Sequence, residues 1–464
     1  MRKGFVFAVL LWTSPVSAQP VVPDTAMGKT LSDYVAAFNS GDAAKIDAFD
    51  SEHHFGMTAA DQMGFYRQSG GFILKKIESS DTTSITALVQ EKDSDAILRM
   101  IIRETGTAEA PKLSIEVGGI PRPTEYAIPR LAQADAIHAL DTRAAQLVAQ
   151  DRLSGAMLIA RKGRIIYSRA WGFADRTSKT PITLDTKFRL GSDNKMFTAV
   201  AVLQLAAAGK ISLDGKVGDY LPNYPNREIA QKATVRMLLN HSGGTGDFFG
   251  PVFEKNRSSL KHNEDYIAMF GGRPPAFEPG TKEGYSNFGF VILGSIVQHV
   301  SGEDYYDYVR RHIFQPTGMT NSGSLPESES VPERATGYMW KDGAWIPNAD
   351  TLPYRGMAAG GGYSSAYDLL KFAQGLENNK LLPAALKEQA THFQTKGKWY
   401  GFGFAINGES GPEHWYGHGG GAPGMNADLR IFPESGTVIV TLANVDPTVA
   451  NQLAEFYLNR MPLN

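Results

Sequence analysis

Strand-like runs stand at both ends of residues 130–464, and the long region between them carries little strand signal. At the front, MLIA (157–160) and RIIYSRAWG (164–172) flank a turn at Arg161-Lys162-Gly163. At the back, DLRIFPESGTVIVTLAN (428–444) turns at Pro433-Glu434-Ser435-Gly436. β-rich runs joined by such turns read as hairpins. A helix is predicted before the first hairpin, over 131–150, with Ile137, Leu140, Ala144 and Leu147 on one face. Another is predicted after the second, over about 447–460. Residues of about 211–355 are punctuated by Pro and Gly and read as helical segments. The reading is one domain with strands at both ends and a helical insertion in the middle. No internal repeat or low-complexity tract interrupts it.

The chain has 464 residues. At about 150 residues per domain this allows about three domains, or one large catalytic domain plus an extra module. Residues 25–120 supply the module. Leu31, Tyr34, Val35 and Phe38 lie at i, i+3, i+4 and i+7, a helical stripe over 30–38. Asn39-Ser40-Gly41-Asp42 stops that helix and can cap a second over 43–49. Four strand-length runs follow: GGFILKKIESS, TTSITALVQE, DAILRMIIRE and KLSIEVGGI. Helices followed by a strand meander suggest a sheet curled round helices. The pattern, with the phrase AAFNSGD, resembles the cone-shaped SnoaL-like (cystatin-like) α+β fold. His53 and His54 could serve as ligands or bases, but read first as surface or cone-mouth histidines without a role. IPRPTEYAIP, with Pro121, Pro123 and Pro129, is read as a linker over 121–129.

Residues 1–18 read as an address. Met1-Arg2-Lys3 is basic, 4–12 (GFVFAVLLW) is apolar, and Val16-Ser17-Ala18 presents small residues after Pro15. This is the pattern of a secretory signal peptide with cleavage after Ala18. The apolar core is about nine residues, against about 20 for a membrane-spanning helix. Export to the periplasm or the exterior is expected, with no membrane anchor after cleavage.

Composition removes several function classes. There is no cysteine, which excludes disulfides, thiolate metal sites, a lipoprotein anchor and a cysteine nucleophile. Lys plus Arg is 46 and Asp plus Glu 48, a formal charge of −2. No strong field draws the chain to nucleic acid. No cofactor or metal is implied.

Three segments carry chemistry. Ser192 and Lys195, in Arg189-Leu190-Gly191-Ser192-Asp193-Asn194-Lys195, open a helix continued by Met196, Val200, Leu203 and Ala207 and stopped by Gly209. Residues three apart on a helix have Cβ atoms about 5–6 Å apart. A serine hydroxyl needs a nearby base to become a nucleophile, and a lysine of lowered pKa can be that base. The helix N-terminus favours negative charge developing at the serine. In Gly284-Tyr285-Ser286-Asn287-Phe288-Gly289, Tyr285 and Asn287 begin a second apolar helix. A tyrosinate near a lysine can serve as base and then acid, and the Asn amide can both donate to and accept from a substrate amide or ester. In Tyr416-Gly417-His418-Gly419-Gly420-Gly421-Ala422-Pro423-Gly424, glycines permit close backbone approach and N–H groups that can line an oxyanion hole. The run lacks the Lys-Ser or Lys-Thr of a phosphate loop. His414 and His418 have no apparent third partner for a metal.

The order S-x-x-K, Y-x-N, then a [K/H]-x-G strand motif resembles the serine β-lactamase and penicillin-binding superfamily. The blocks KFRLGSDNKMFTAVAVLQL, GKISLDGKVGDYLP, VRMLLNHSGG, PGTKEGYSNFGFVILGSIV and GHGGGAPG are similar to class C β-lactamases and their esterase, carboxypeptidase and D-aminopeptidase relatives. The resemblance spans residues of about 130–464. It implies an α+β, β-lactamase/transpeptidase-like fold, with a mainly antiparallel sheet flanked by helices plus a helical subdomain. It implies Ser192 as the nucleophile of an acyl-enzyme and Lys195 and Tyr285 as shared general base and acid. It implies Asn287 as a substrate-orienting group and an oxyanion hole from the N–H groups of Ser192 and Gly421, the residue after His418-Gly419-Gly420. The net reaction is hydrolysis of an amide or ester in a small molecule or peptide.

His418 stands where many β-lactamases carry lysine. With a reference pKa of about 6.5, histidine is largely neutral at pH 7. This shifts weight from β-lactam hydrolysis to esterase, D-aminopeptidase or carboxypeptidase activity. If His418 instead meets an anionic group as imidazolium, affinity falls as pH rises through its pKa. Asp193 is expected either to bias substrate entry or merely to suit the helix dipole. His241 reads as a core or turn residue, and Ser365 with Asp368 as a capping box whose glycine-rich approach, Gly360-Gly361-Gly362, first serves helix initiation. Trp415 and Tyr416 read as an aromatic wall for substrate or as core. The competing functions are a binding or regulatory protein on the same fold and a true class C-type β-lactamase. An α/β-hydrolase is excluded, because Gly284-Tyr285-Ser286-Asn287-Phe288 is the nearest approach to its nucleophile elbow.

Overall fold

The computed structural model describes residues 20–107 and 110–463. The signal sequence read over residues 1–18 lies outside them. Among the described residues no helix is long and apolar enough to cross a membrane. The chain divides into two compact units, Met1–Ala127 and Ile128–Asn464.

The first unit begins with α1 (Ala26–Asn39), α2 (Ala43–His53) and α3 (Ala59–Ser69), capped by the side chains of Thr25, Asp42 and Thr58. A four-stranded antiparallel meander follows: β1 (Phe72–Ser80), β2 (Ser84–Glu91), β3 (Ile97–Thr107) and β4 (Ala110–Gly119). Of the predicted stripe, Leu31, Tyr34 and Phe38 bury themselves against Ile85, Ala87, Val89, Met100 and Ile102, and Val35 packs partly buried at the edge. Phe38 stacks on Phe72 at 4.6 Å. Burying an aromatic or aliphatic side chain of this size contributes about 1.5–3 kcal/mol. Helix α3 is absent from the sequence reading because AADQMGFYRQS carries no apolar stripe. The proline-rich stretch folds back on this unit, with Glu125 paired to Lys76 at 3.0 Å and the Tyr126 hydroxyl donating to the Lys75 carbonyl at 3.1 Å. His53 packs its ring on Phe49 at 4.5 Å.

In the second unit α4 (Gln133–Ala149) leads into β5 (Gly155–Arg161) and β6 (Arg164–Trp171). Next come β7 (Phe188–Arg189), α5 (Asn194–Ala207), α6 (Asn287–Ser301), β8 (Tyr363–Ser364) and α7 (Ala366–Glu377). Then β9 (Ala405–Asn407), β10 (Trp415–Ala422), β11 (Met425–Phe432), β12 (Thr437–Ala443) and α8 (Val449–Leu458) complete the unit. One six-stranded antiparallel sheet runs β9-β10-β11-β12-β5-β6. The two hairpins meet where β12 pairs with β5, from Thr437 opposite Arg161 to Ala443 opposite Gly155. Every residue of β11 and β12 is buried, because helices cover both faces. Met157 and Ile159 pack with Leu140, Leu147 and Leu453 on one side. Their alternates Ala156, Leu158 and Ala160 join Phe197, Leu203, Leu369 and Phe372 on the other. This is the period-2 side-chain alternation of a strand. The middle of the unit is helical as expected, except that Tyr338–Lys341 and Ala344–Pro347 form a small hairpin inside it.

Candidate active site

The nucleophile candidate sits on a turn that only particular neighbours permit. Gly191 takes φ 54, opening a short 3-10 turn, Gly191–Asp193, before α5. A Cβ at Gly191 would lie 2.8 Å from the Gly421 nitrogen, and one at Gly420 would lie 1.8 Å from the Leu190 carbonyl oxygen and 3.0 Å from the Ser192 nitrogen. The two glycines let strand β10 run directly alongside the turn. The glycine run thus lies within strand β10 itself. The backbone around Ser192 and that around Gly421 are therefore close neighbours. Gly420→Ala is expected to force these segments apart and lower kcat by about 10²-fold or more, the cost of losing one oxyanion donor. Steady-state kinetics alongside circular dichroism checks this.

The second glycine run does more than start a helix. Leu190 N–H donates to the Gly362 carbonyl and Gly361 N–H to the Gly191 carbonyl. Three side chains of α5 then hold three successive carbonyls. Asn194 donates to Met357 at 2.9 Å, Thr198 to Ala358 at 2.7 Å, and Lys195 to Ala359. Ser365 caps α7 by accepting from the Asp368 N–H at 3.3 Å. The box is one-sided, because the Asp368 carboxylate is taken by Ser322, Lys371 and the Asn321 N–H.

Lys195 is fully buried. Its Nζ lies 3.1 Å from Ser192 Oγ and 2.7 Å from Asn287 Oδ1, besides the Ala359 carbonyl. Burial lowers its pKa from 10.5 to about 7, against the opposing pull of Asp247 and Asp193. Two of its three neighbours are carbonyl oxygens, which only accept. The neutral amine can donate to both and turn its lone pair to the serine O–H. The charged form can donate to all three. The site thus accommodates the proton on either side of a transfer.

Tyr285 completes the group. The nearby Ser192 hydroxyl eases the charged form of its phenol, and Lys195 Nζ is 4.8 Å from its ring centroid. The residue is 41% exposed, yet the surrounding rings desolvate the phenol and push its pKa up. Raised in this way, Tyr285 is favoured as a neutral phenol that can pass a proton rather than as the tyrosinate of the sequence reading. Asn287 donates to Asp247 at 2.7 Å while its oxygen accepts from Lys195. Asp247 was missed, as nothing in HSGGTGDFFG marks it as the partner of a residue on α6.

His418 reaches the same cluster, but not as a cation. Its Nδ1 must donate to the Gly419 carbonyl at 2.7 Å, so Nε2 accepts from the Tyr400 hydroxyl at 2.8 Å. Burial and the nearby Lys195 lower its pKa to about 3. The imidazolium reading is corrected: both ring nitrogens are occupied and His418 carries no charge for a substrate anion. Asp193 cannot steer substrate entry, for it is fully buried with neither carboxylate oxygen hydrogen-bonded. Burial and Asp428 raise its pKa well above the carboxylate range. Tyr416 is core, its hydroxyl bonded to Glu377, and Trp415 stacks under Arg430 at 4.7 Å. Neither is an aromatic wall for substrate.

A serine hydroxyl bonded to a buried amine, with a phenol and a glycine-lined strand beside it, is the arrangement of a serine hydrolase. A family model described as Beta-lactamase matches residues 140–460, and the chain belongs to that family. It is similar to the putative penicillin-binding protein PbpX of Bacillus subtilis, with 32% identity over 297 residues, 63% of this chain and 71% of the relative. It is 30% identical over 307 residues to esterase EstB of Burkholderia gladioli, covering 57% of this chain and 78% of the relative. Among solved structures, a penicillin binding protein from Bacillus halodurans aligns with a TM-score of 0.61 and 30% identity, over 67% of this chain and 97% of that one. D-amino acid amidase from Ochrobactrum anthropi aligns with a TM-score of 0.56 and 25% identity, over 70% and 97%.

Proposed function

We propose that this chain is an exported serine hydrolase that cleaves an amide or ester through an acyl-enzyme on Ser192. The observation that carries the reading is the Lys195 amine, 3.1 Å from Ser192 Oγ and otherwise held by two carbonyl acceptors. The neutral amine takes the serine proton as Oγ attacks the substrate carbonyl. The resulting oxyanion is met by the N–H groups of Ser192 and Gly421. The Tyr285 phenol gives its proton to the leaving amine or alcohol and is reprotonated from the Lys195 ammonium. Water then attacks the ester on Ser192, losing its proton to the same pair and returning the hydroxyl. Export rests on the leader pattern of residues 1–18. Residues 25–120 are read as a separate accessory module, since the family match begins only at residue 140.

A neutral His418 favours ester or amide substrates with no carboxylate to be held at that point. The names of the esterase and amidase relatives agree with this preference. A fluorophosphonate probe is expected to add once, on the peptide containing Ser192. A panel of D-amino acid amides, p-nitrophenyl esters, nitrocefin and peptidoglycan stem peptides is expected to show faster turnover of uncharged esters or amides than of nitrocefin. No adduct by intact mass, with no turnover across the panel, would overturn the proposal.

A further inference from the structure

His241 contacts Tyr285 and both of its chain neighbours. Its carbonyl accepts from the Gly284 N–H at 3.0 Å. Its ring Nδ1 accepts from the Ser286 N–H at 3.1 Å. These are the residues immediately before and after Tyr285. Its imidazole then packs against the Tyr285 ring, with centroids 4.4 Å apart. On its other faces the same ring meets Tyr400 at 4.4 Å, Phe290 at 5.3 Å and Trp399 at 5.6 Å, the last nearly parallel. Tyr400 in turn donates to His418, so one imidazole joins the second and third motifs.

This placement is costly for the fold, which argues for a task beyond filling space. His241 sits at φ 63, in the left-handed region that favours Gly and Asn. Its Nε2 is buried with no hydrogen-bond partner among the described residues, an arrangement native proteins rarely keep. Because Nδ1 accepts from a backbone N–H, the ring is the neutral Nε2–H tautomer. Burial, Lys195 and His418 each disfavour its charged form. A rigid neutral wall holds the phenol without adding charge beside the Lys195 amine.

We propose that His241 is the positioning residue for Tyr285, fixing the phenol where it can hand a proton to the leaving group. This rests on the Ser192 acyl-enzyme reading above and deepens it. A phenol held out of place should penalise substrates in proportion to how much their leaving group needs a proton. Alkyl esters and amides need one, and p-nitrophenolate does not.

The test compares His241→Phe, which keeps a ring and loses the acceptor, with His241→Asn, whose Oδ1 can replace Nδ1 and which tolerates φ 63. Tyr285→Phe is the reference. In the full chain, His241→Phe is expected to lower kcat/KM for amides and alkyl esters by about 10²-fold or more, the range of a general acid. Release of p-nitrophenolate should change less than about tenfold, with KM little altered. Tyr285→Phe should show the same split, and His241→Asn should recover part of the loss. Equal losses on both substrate types, tracking the folded fraction by circular dichroism, would make His241 merely structural and overturn the proposal. So would a split in Tyr285→Phe that His241→Phe lacks. Absence of the fluorophosphonate label on wild-type Ser192 would instead sink the underlying reading, and this proposal with it.

Discussion

Ser192→Ala is expected to abolish turnover, lowering kcat/KM by at least about 10⁴-fold, and to remove the fluorophosphonate adduct. The size of the effect follows from the absence of a substitute at that point. Ser286 Oγ, the next serine hydroxyl on the segments that build the site, donates to the Gly246 carbonyl and accepts from the Gly289 N–H as the cap of α6. The phenol of Tyr285, its pKa pushed up by burial, is a poor nucleophile at neutral pH. Water activated by Lys195 and polarised at the Ser192 and Gly421 amides could account for whatever slow rate remains. The fold should be little affected, because the lost group is one half-buried hydroxyl and Lys195 keeps its two carbonyl partners. Activity of the variant within tenfold of wild type would show that another group is acylated.

The parts of this site that were legible in the sequence are those fixed by local spacing. Ser192 and Lys195 are one turn apart whatever the tertiary fold, and Tyr285 and Asn287 stand together at a helix start. The hairpins at both ends were legible because alternation and turn residues specify them locally. What escaped depends on contacts far apart in the chain. Asp247 reaches Asn287 across 40 positions, and the Ala359 carbonyl reaches Lys195 across 164. His241 looked structural because its work is done through the backbone of Gly284 and Ser286, which no side-chain pattern encodes. The charge states escaped for a related reason. Sequence gives reference pKa values, whereas the site's behaviour comes from desolvation, which only packing reveals. From sequence, His418 reads as largely neutral with an imidazolium role left open, Tyr285 as a tyrosinate and Asp193 as a first-turn carboxylate, and burial disfavours the charged form of each.

Desolvation also sets the other large effect, at Lys195. In the proposed mechanism the general base is the neutral amine, and burial lowers its pKa from 10.5 to about 7. The free enzyme's kcat/KM should therefore climb about tenfold per pH unit below that value and level off above it. Lys195→Arg should lose at least about 10³-fold, because a guanidinium cannot give up its proton to become the base. Lys195→Met should lose about as much and show no acid limb near pH 7, since the titrating group is gone. The same shift bears on stability, with a definite sign. Between about pH 7 and 10.5 the unfolded chain holds a proton on this amine that the folded chain does not, so stability must rise with pH across that window. Below about pH 7 both states are protonated, and the full cost of burying the ammonium is present. The difference in unfolding free energy between wild type and Lys195→Met should thus grow in favour of wild type as pH rises from about 7 to 10.5, whatever the offset from the carbonyls the variant leaves unpaired. Denaturant titrations at several pH values measure it directly. A difference that stays constant, together with an acid limb that persists in the methionine variant, would mean that Lys195 is charged throughout and that the proton of Ser192 leaves by another route.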